Sequence, residues 1–469
     1  MLPEKIKIPK EVYKVYKTGA VFYDTARLIG AAHLFFGTAS AQIEDKGAFW
    51  ELSGAPVKRN ESQILWIIEK LNLTNKERRL FEDPKKRTFY WDELTKFFKS
   101  GSEAKGRLEE LKAEYDCAFQ IGTRSFDPLQ KYEILAPRST GETMKKFKVK
   151  FQDLAAATLG RAFSAKATSF TNRQKDRISI LPIFKEHFVI SGFLDYEKNF
   201  THSASGWVAA VWASVSILLE LLNKGLPVVD FVYNREVKGP TGIPVFSESG
   251  FLGLEKLCVY WIENRDDEII QSLIKHFKRI FSETRGQNTH ESVKTLVRYL
   301  ANFVVNIDVD SISKIQQIKV RLMDTDDVKV RWVGKYLLNK SIYVKEVKKM
   351  IEETKDIEIP DIPWQISESL AKALNFKEKG WMNQFTRLEN STNFTQFIQQ
   401  VEHIISRGIY RKQVESGENL SFSHALIKAK NLSEKLRSIE RDLKNEKIFR
   451  AWKAIFLLDV LSRAEMGKT

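Results

Sequence analysis

The chain has 469 residues, 43% hydrophobic and 29% charged, a composition of the soluble globular kind and a length that suits two to four domains. Seventy-five Lys and Arg against 60 Asp and Glu leave a formal charge of +15, which points to polyanionic partners, nucleic acid before an acidic membrane surface. Sparse Gly and Pro argue against long disordered linkers. The two cysteines, Cys117 and Cys258, form no Cys-x-x-Cys pair, leave a disulfide framework or cysteine zinc site unsupported, and fit a reducing cytosol.

The opening residues, MLPEKIKIPKEVYKVYK, hold no apolar core of the signal-peptide type. Ala20 to Phe36 predicts a mostly apolar helix that Gly37 can end. Ala41 to Leu52 predicts a hairpin around the turn Asp45-Lys46-Gly47. Helices are expected at 63–71, 92–98 and 106–119, and short strands at 132–135 and 178–181.

Met144 to Lys185 holds ten Lys or Arg against Asp153 and Asp176, a net +8. Apolar residues from Phe151 to Phe163 recur at helical spacing. Lys145, Lys146, Lys148 and Lys150 crowd the start of that helix, where they oppose the positive end of its macrodipole. With exposed backbone N–H groups they make a good anion site. Ser164 to Arg177, with Lys166, Arg173, Lys175 and Arg177, is polar, basic and loop-like. A solvated charged face is one reading of this stretch. A phosphate-binding surface that includes Arg161 is the preferred one, because the lysines work against the helix they precede.

Trp207 to Leu222 is the most apolar run, shorter than a bilayer span and interrupted by Glu220, so a buried helix over Ser205 to Lys224 is expected, stopped by Gly225 and Pro227. The strand VVDFVY follows. The turn signal Gly239-Pro240-Thr241-Gly242 then predicts a hairpin with Lys238 beside its tip. Helical patterns continue over 267–285, 289–305, 311–322 and 326–338. The prolines of DIEIPDIP argue against helix and set a boundary between a body, 1–357, and a C-terminal part, 358–469. Stripes from Phe394 to Ile405, Phe422 to Leu443 and Ile448 to Phe456, with shorter segments 363–374 and 381–388, predict a helical bundle. The expected fold class is thus α+β and predominantly helical: a mixed α/β body with a small antiparallel sheet and hairpins, then an antiparallel helical bundle.

No catalytic pattern is visible. None of the seven histidines precedes an Asp, and His290-Glu291 begins a His-Glu-x-x-His match that Lys294 breaks. The terminal Gly467-Lys468-Thr469 imitates the end of a P-loop but lacks its earlier glycine. Asp308 with Asp310, and Asp324 with Asp326 and Asp327, are acid clusters of the kind that hold a metal, or more commonly caps and turns. No cofactor and no metal are expected.

A basic chain of this length, opening on TGAVFYDTARLIGAAHLFFGTASAQIEDKGAFW, continuing as an α/β body with basic loops and closing on a helical bundle, resembles the large subunit of type I CRISPR-associated surveillance complexes (Cascade). The resemblance implies a non-enzymatic cytoplasmic subunit that packs on the guide RNA assembly with the other subunits. It would read the motif flanking the target in double-stranded DNA and recruit a separate helicase–nuclease, while guide pairing reads the sequence. Lys145, Lys146, Lys148, Lys150, Arg161, Lys166, Arg173, Lys175 and Arg177 would then serve backbone phosphates. Lys238, Gly239, Thr241 and Gly242 would read the flanking motif in the minor groove. An internal start at Met350 would yield a separate small subunit. Two alternatives stand beside this: a general RNA- or DNA-binding protein outside CRISPR systems, and a metal nuclease using Asp308, Asp310 or the group at 324–327.

Overall fold

The computed structural model describes residues 12–17, 21–36, 41–54, 69, 156–157, 159–163, 169–171, 176–185, 189–190, 200–202, 206–223, 225–238, 244–264, 266–282, 290–376, 380–417 and 421–464. The fold is α+β with helix predominating, strands in the first part and helices in the second. Two compact units divide it, Met1–Ile262 and Glu263–Thr469.

Two sheets build the first unit. One runs β1 (Val12–Tyr16), β3 (Phe49–Ser53), β2 (Ala41–Asp45), β6 (Val189–Ile190), each pair antiparallel. The β2–β3 hairpin turns as the sequence predicts. Gly47 takes φ +76° there, and its N–H donates to Asp45 Oδ1 at 2.7 Å. The other sheet runs β7 (Phe200–His202), β4 (Ser169–Thr171), β5 (Asp176–Phe184), β8 (Val228–Lys238), β9 (Pro244–Phe251). Only β7 and β4 are parallel among its pairs.

Helix α1 (Val21–Phe36) is the centre of this unit. Every residue from Phe22 to Phe36 is buried, because α1 touches β1, β2 and β3 of one sheet and β5, β8 and β9 of the other. A helix enclosed this way has to be apolar all round, and VFYDTARLIGAAHLFF nearly is. Its two charged exceptions, Asp24 and Arg27, pair with each other at 3.4 Å. The helical residues at 159–163 cross α1 backbone to backbone. A Cβ on Gly30 would lie 1.7 Å from the Ala156 carbonyl oxygen, and one on Gly160 would lie 1.7 Å from that of Ala26. Helix α2 (Gly206–Asn223) packs on β5 and β8 as a buried helix, as its apolar run requires. Runs such as Phe231–Asn234, buried at consecutive positions, show that both faces of the central strands are covered. Helix α3 (Glu255–Glu263) follows, its entry pinned by Asp230, whose Oδ1 accepts from the Phe231 and Leu254 N–H groups at 2.7 and 2.8 Å.

The second unit is helical: α4 (Glu268–Ser282), α5 (Glu291–Asn306), α6 (Val309–Met323), α7 (Val328–Tyr336), α8 (Ser341–Lys355), α9 (Trp364–Leu374), α10 (Trp381–Glu389), α11 (Phe394–Glu415), α12 (Phe422–Arg437) and α13 (Glu446–Ser462). At its core lies α13, buried from Ala454 to Leu461 without a break and touched by α6, α8 and α9. Phe397 of α11 meets Phe449, Trp452 and Phe456 of α13 edge to face, with centroids 5.6 to 6.2 Å apart.

The boundary read at 357/358 lies within the second of the two compact units, where α6 and α8 pack on α13. The stretch around its prolines is tied down, not a linker: Ile359 is buried, its N–H donates to Glu352 Oε1 at 2.8 Å, and Lys348 bonds Asp361 at 3.1 Å. Helix α8, which the periodicity did not single out, carries Met350 on its buried side. The segment 164–177 is not wholly loop, because β4 and the start of β5 lie in it. The long stripe from Phe422 to Leu443 is divided: α12 stops at Arg437 and a 3-10 turn, Asp442–Lys444, follows. The expected elements at 92–98, 106–119 and 132–135 lie outside the described residues, as does 63–71 apart from Glu69.

Candidate nucleic-acid interface

The registers of the five-stranded sheet bring the two segments selected from the sequence to one end. Asp176 and Arg177 at the start of β5 face Val237 and Glu236 at the end of β8. Lys238, the last residue of β8, faces Pro244 at the start of β9 across an irregularity in the ladder. Phe170 of β4 pairs with Arg177, and Thr171 lies beside His202, where β7 ends. The strand ends at Thr171, Asp176, Lys238 and Pro244 therefore lie at one end of the sheet. Helix α2 also begins there. A Cβ on Gly206, its first residue, would lie 2.2 Å from Arg235 Nε, so a guanidinium from β8 stands against the positive end of this helix.

Of the predicted phosphate-binding residues, Lys145, Lys146, Lys148, Lys150, Lys166, Arg173 and Lys175 lie outside the described residues, as do Gly239, Thr241 and Gly242 of the hairpin tip. Arg177 and Lys238 are placed by their strands. Arg161 corrects the expectation of a surface cation. It is 0% exposed, with its guanidinium 5.2 Å from the centre of the Phe22 ring. Residues 159–163 are buried without exception, and the close crossing with α1 carries Arg161 into the interior.

A second basic surface, which the sequence reading missed, lies in the second unit between α4 and α7. Four rings form a ladder: Tyr343 and His276 have centroids 5.0 Å apart, His276 and Tyr336 4.7 Å, and Tyr336 and Trp332 4.7 Å, the last pair stacked at 14°. Tyr343 and His276 are buried, whereas Tyr336 and Trp332 are half-exposed. Arg279 stands 4.5 Å from the centre of the Tyr336 ring and 5.3 Å from that of Trp332. The signal in sequence is the i, i+4 pair Trp332/Tyr336 among Lys329, Arg331 and Lys335, which reads equally well as an ordinary amphipathic helix.

Buried polar groups hold the inner end of this ladder. His276 Nε2 accepts from the Leu338 N–H at 2.9 Å, so that nitrogen carries no proton. Burial, aided by Lys319, Lys340 and Arg279, takes the His276 pKa down to about 3. Lys319 is buried and donates to the Leu337 carbonyl oxygen, and its burial takes its pKa from 10.5 to about 7. The Leu337–Leu338 corner between α7 and α8 is thus gripped on both sides, and Leu338 sits at φ +46°.

Two of the acidic groups cap helices. Asp308 caps α6, accepting from the Ser311 N–H at 2.7 Å. Asp327 caps α7, accepting from the Lys329 and Val330 N–H groups at 2.9 and 3.1 Å. His290 caps α5 through the Ser292 N–H. Among the described residues no group of three His, Cys, Asp or Glu side chains is placed to share a metal, and no helix is long and apolar enough to cross a membrane. No family model matches the chain, and no curated protein or solved structure shows significant similarity to it.

Proposed function

We propose that this protein is a non-catalytic nucleic-acid-binding subunit: the large subunit of an RNA-guided antiviral complex of the type I CRISPR kind. In this role it works in the cytoplasm, contacts guide RNA and double-stranded target DNA beside the other subunits, reads the motif flanking the target, and recruits a helicase–nuclease. The observation that carries the reading is the shared sheet end. The basic segment containing Arg173, Lys175 and Arg177 and the glycine-rich tip after Lys238 were selected separately from the sequence, for different roles, and their strands end side by side. A tip that reads bases needs phosphate contacts next to it to fix its register on the duplex. Asp308 and Asp327 serve as helix caps, which favours this reading over the nuclease alternative.

A salt titration of duplex binding tests this. Replacing Lys166, Arg173, Lys175 and Arg177 with Ala should weaken all duplexes about equally and make the slope of log affinity against log salt shallower by about 3 to 4 units, at roughly 0.9 per phosphate contact. Replacing Lys238 should reduce discrimination between duplexes that differ only in the flanking motif, with a slope change of about one unit or less. An unchanged slope for the fourfold variant returns that segment to a solvated face.

A further inference from the structure

The ring ladder of the second unit is unusual in its direction. It starts at two buried rings, Tyr343 and His276, passes through Tyr336 and ends on the half-exposed indole of Trp332. Rings that only fill a core do not need to continue outward to a stacked, half-exposed pair. The outer pair is held in place from behind. His276 is fixed by the Leu338 N–H, the Tyr343 hydroxyl bonds Ser272 at 2.7 Å, and Arg279 Nη1 donates to the Tyr336 hydroxyl at 3.3 Å. A ring fixed in advance loses little freedom when another ring stacks on it.

The surroundings are cationic. Lys329 and Lys335 lie three residues before and after Trp332, on the same side of α7. Lys275 is exposed four residues before Arg279 on α4. Within α7 there is no acidic residue. Asp326 and Asp327 stand at its start, where Asp327 is occupied as the cap and Asp326 lies 4.0 Å from Arg331.

We propose that the α4–α7 face binds unpaired nucleotides of a nucleic-acid single strand, a base stacking on Trp332 as the next ring of the ladder while the flanking phosphates meet Arg279, Lys275, Lys329 and Lys335. The inference takes the class of polymer from the proposed function but concerns a different surface in the other unit. A duplex keeps its base faces stacked on one another, so an aromatic face selects a strand whose bases are free. Stacking is indifferent to base identity, so this site holds a strand without reading it.

The test uses the full chain and three probes: an oligothymidylate, the same strand with abasic positions, and a duplex. Trp332→Ala should weaken binding of the oligothymidylate about 10-fold. It should leave the salt slope and the affinities for the abasic strand and the duplex nearly unchanged. Trp332→Phe should recover most of the loss, which a packing defect would not predict. Lys275→Ala with Lys329→Ala should make the single-strand salt slope shallower by about one unit or more. In the unaltered protein, a strand carrying 5-iodouracil should photocrosslink to the peptide that contains Trp332. Absence of that crosslink overturns the proposal, as does an equal loss on all three probes in Trp332→Ala. The sheet-end reading fails separately, if the variants at Arg173, Lys175, Arg177 and Lys238 leave duplex binding untouched while the Trp332 dependence persists.

Discussion

Lys319 keeps an ammonium group in the interior of the second unit, and burial is the cause of its lowered pKa. Below about pH 7 the group is protonated in both folded and unfolded chains, so the cost of burying the charge is carried in full. Between about 7 and 10.5 the unfolded chain binds more protons than the folded one, so stability rises with pH across that window. Calorimetry from pH 6 to about 9.5 should therefore show the transition of the second unit moving up. Lys319→Met should flatten that rise and stabilise the unit at the acid end by an amount on the order of a few kcal/mol, less the lost bond to Leu337. A rise of equal steepness in the variant would mean that the ammonium is hydrated. His276 has a weakness of the same sign in a lower pH window. Its neutral ring is required by the Leu338 N–H, so its contribution is lost as pH falls from 6.5 toward about 3. Neither residue stood out in the sequence, because a lysine and a histidine on amphipathic helices look the same whether they face water or the core. Arg161 misled for the same reason.

The contact between α1 and residues 156–163 turns on two glycines. Ala26 and Gly30 on one helix, and Ala156 and Gly160 on the other, are each four residues apart, so each pair lies along one helical face. Backbone meets backbone there, with no side chain to give way. Gly30→Ala should destabilise the first unit by about 3 kcal/mol or more. Gly47→Ala should cost only about 1 kcal/mol, because its φ of +76° is strained for alanine but nothing lies within 4 Å of the added Cβ. Equilibrium denaturation of both variants checks the contrast, and equal losses would mean that the helices do not cross where Gly30 and Gly160 place them. The apolar run of α1 was plain in the sequence. Its partner was not, since Ala156 and Gly160 stood within a stretch that attracted notice for its charge. Most helices of the second unit were legible from their period, but α8 was not, and α12 stops at Arg437 short of the stripe that runs to Leu443.

For the chain as a whole, the division at Ile262/Glu263 makes a prediction that the proline boundary does not. A fragment of residues 263–469 should be helical by circular dichroism and melt cooperatively. A fragment of 358–469 should be helical but melt broadly, because it lacks α6 and α8, which cover α13. Removing them exposes large apolar side chains, each worth about 1.5 to 3 kcal/mol when buried. Equal cooperativity in the two fragments would restore the boundary at the prolines.

The sequence by itself determined what depends on neighbours along the chain: the excess positive charge, the β2–β3 turn, the buried character of α1 and α2, and most helices of the second unit. Short-range rules of period, capping and turn chemistry act within a few residues, and these features obey them. Only the tertiary structure decided which surfaces those elements share. The ends of β5 and β8 meet because strands distant in sequence pair in one register. Arg161 is interior because two glycines let helices touch. Trp332 and Tyr336 continue a line of rings that His276 and Tyr343 begin from two other helices. Such juxtapositions arise from contacts between residues tens of positions apart, and a pattern of residue types along one chain does not encode which of several apolar or basic faces will find each other.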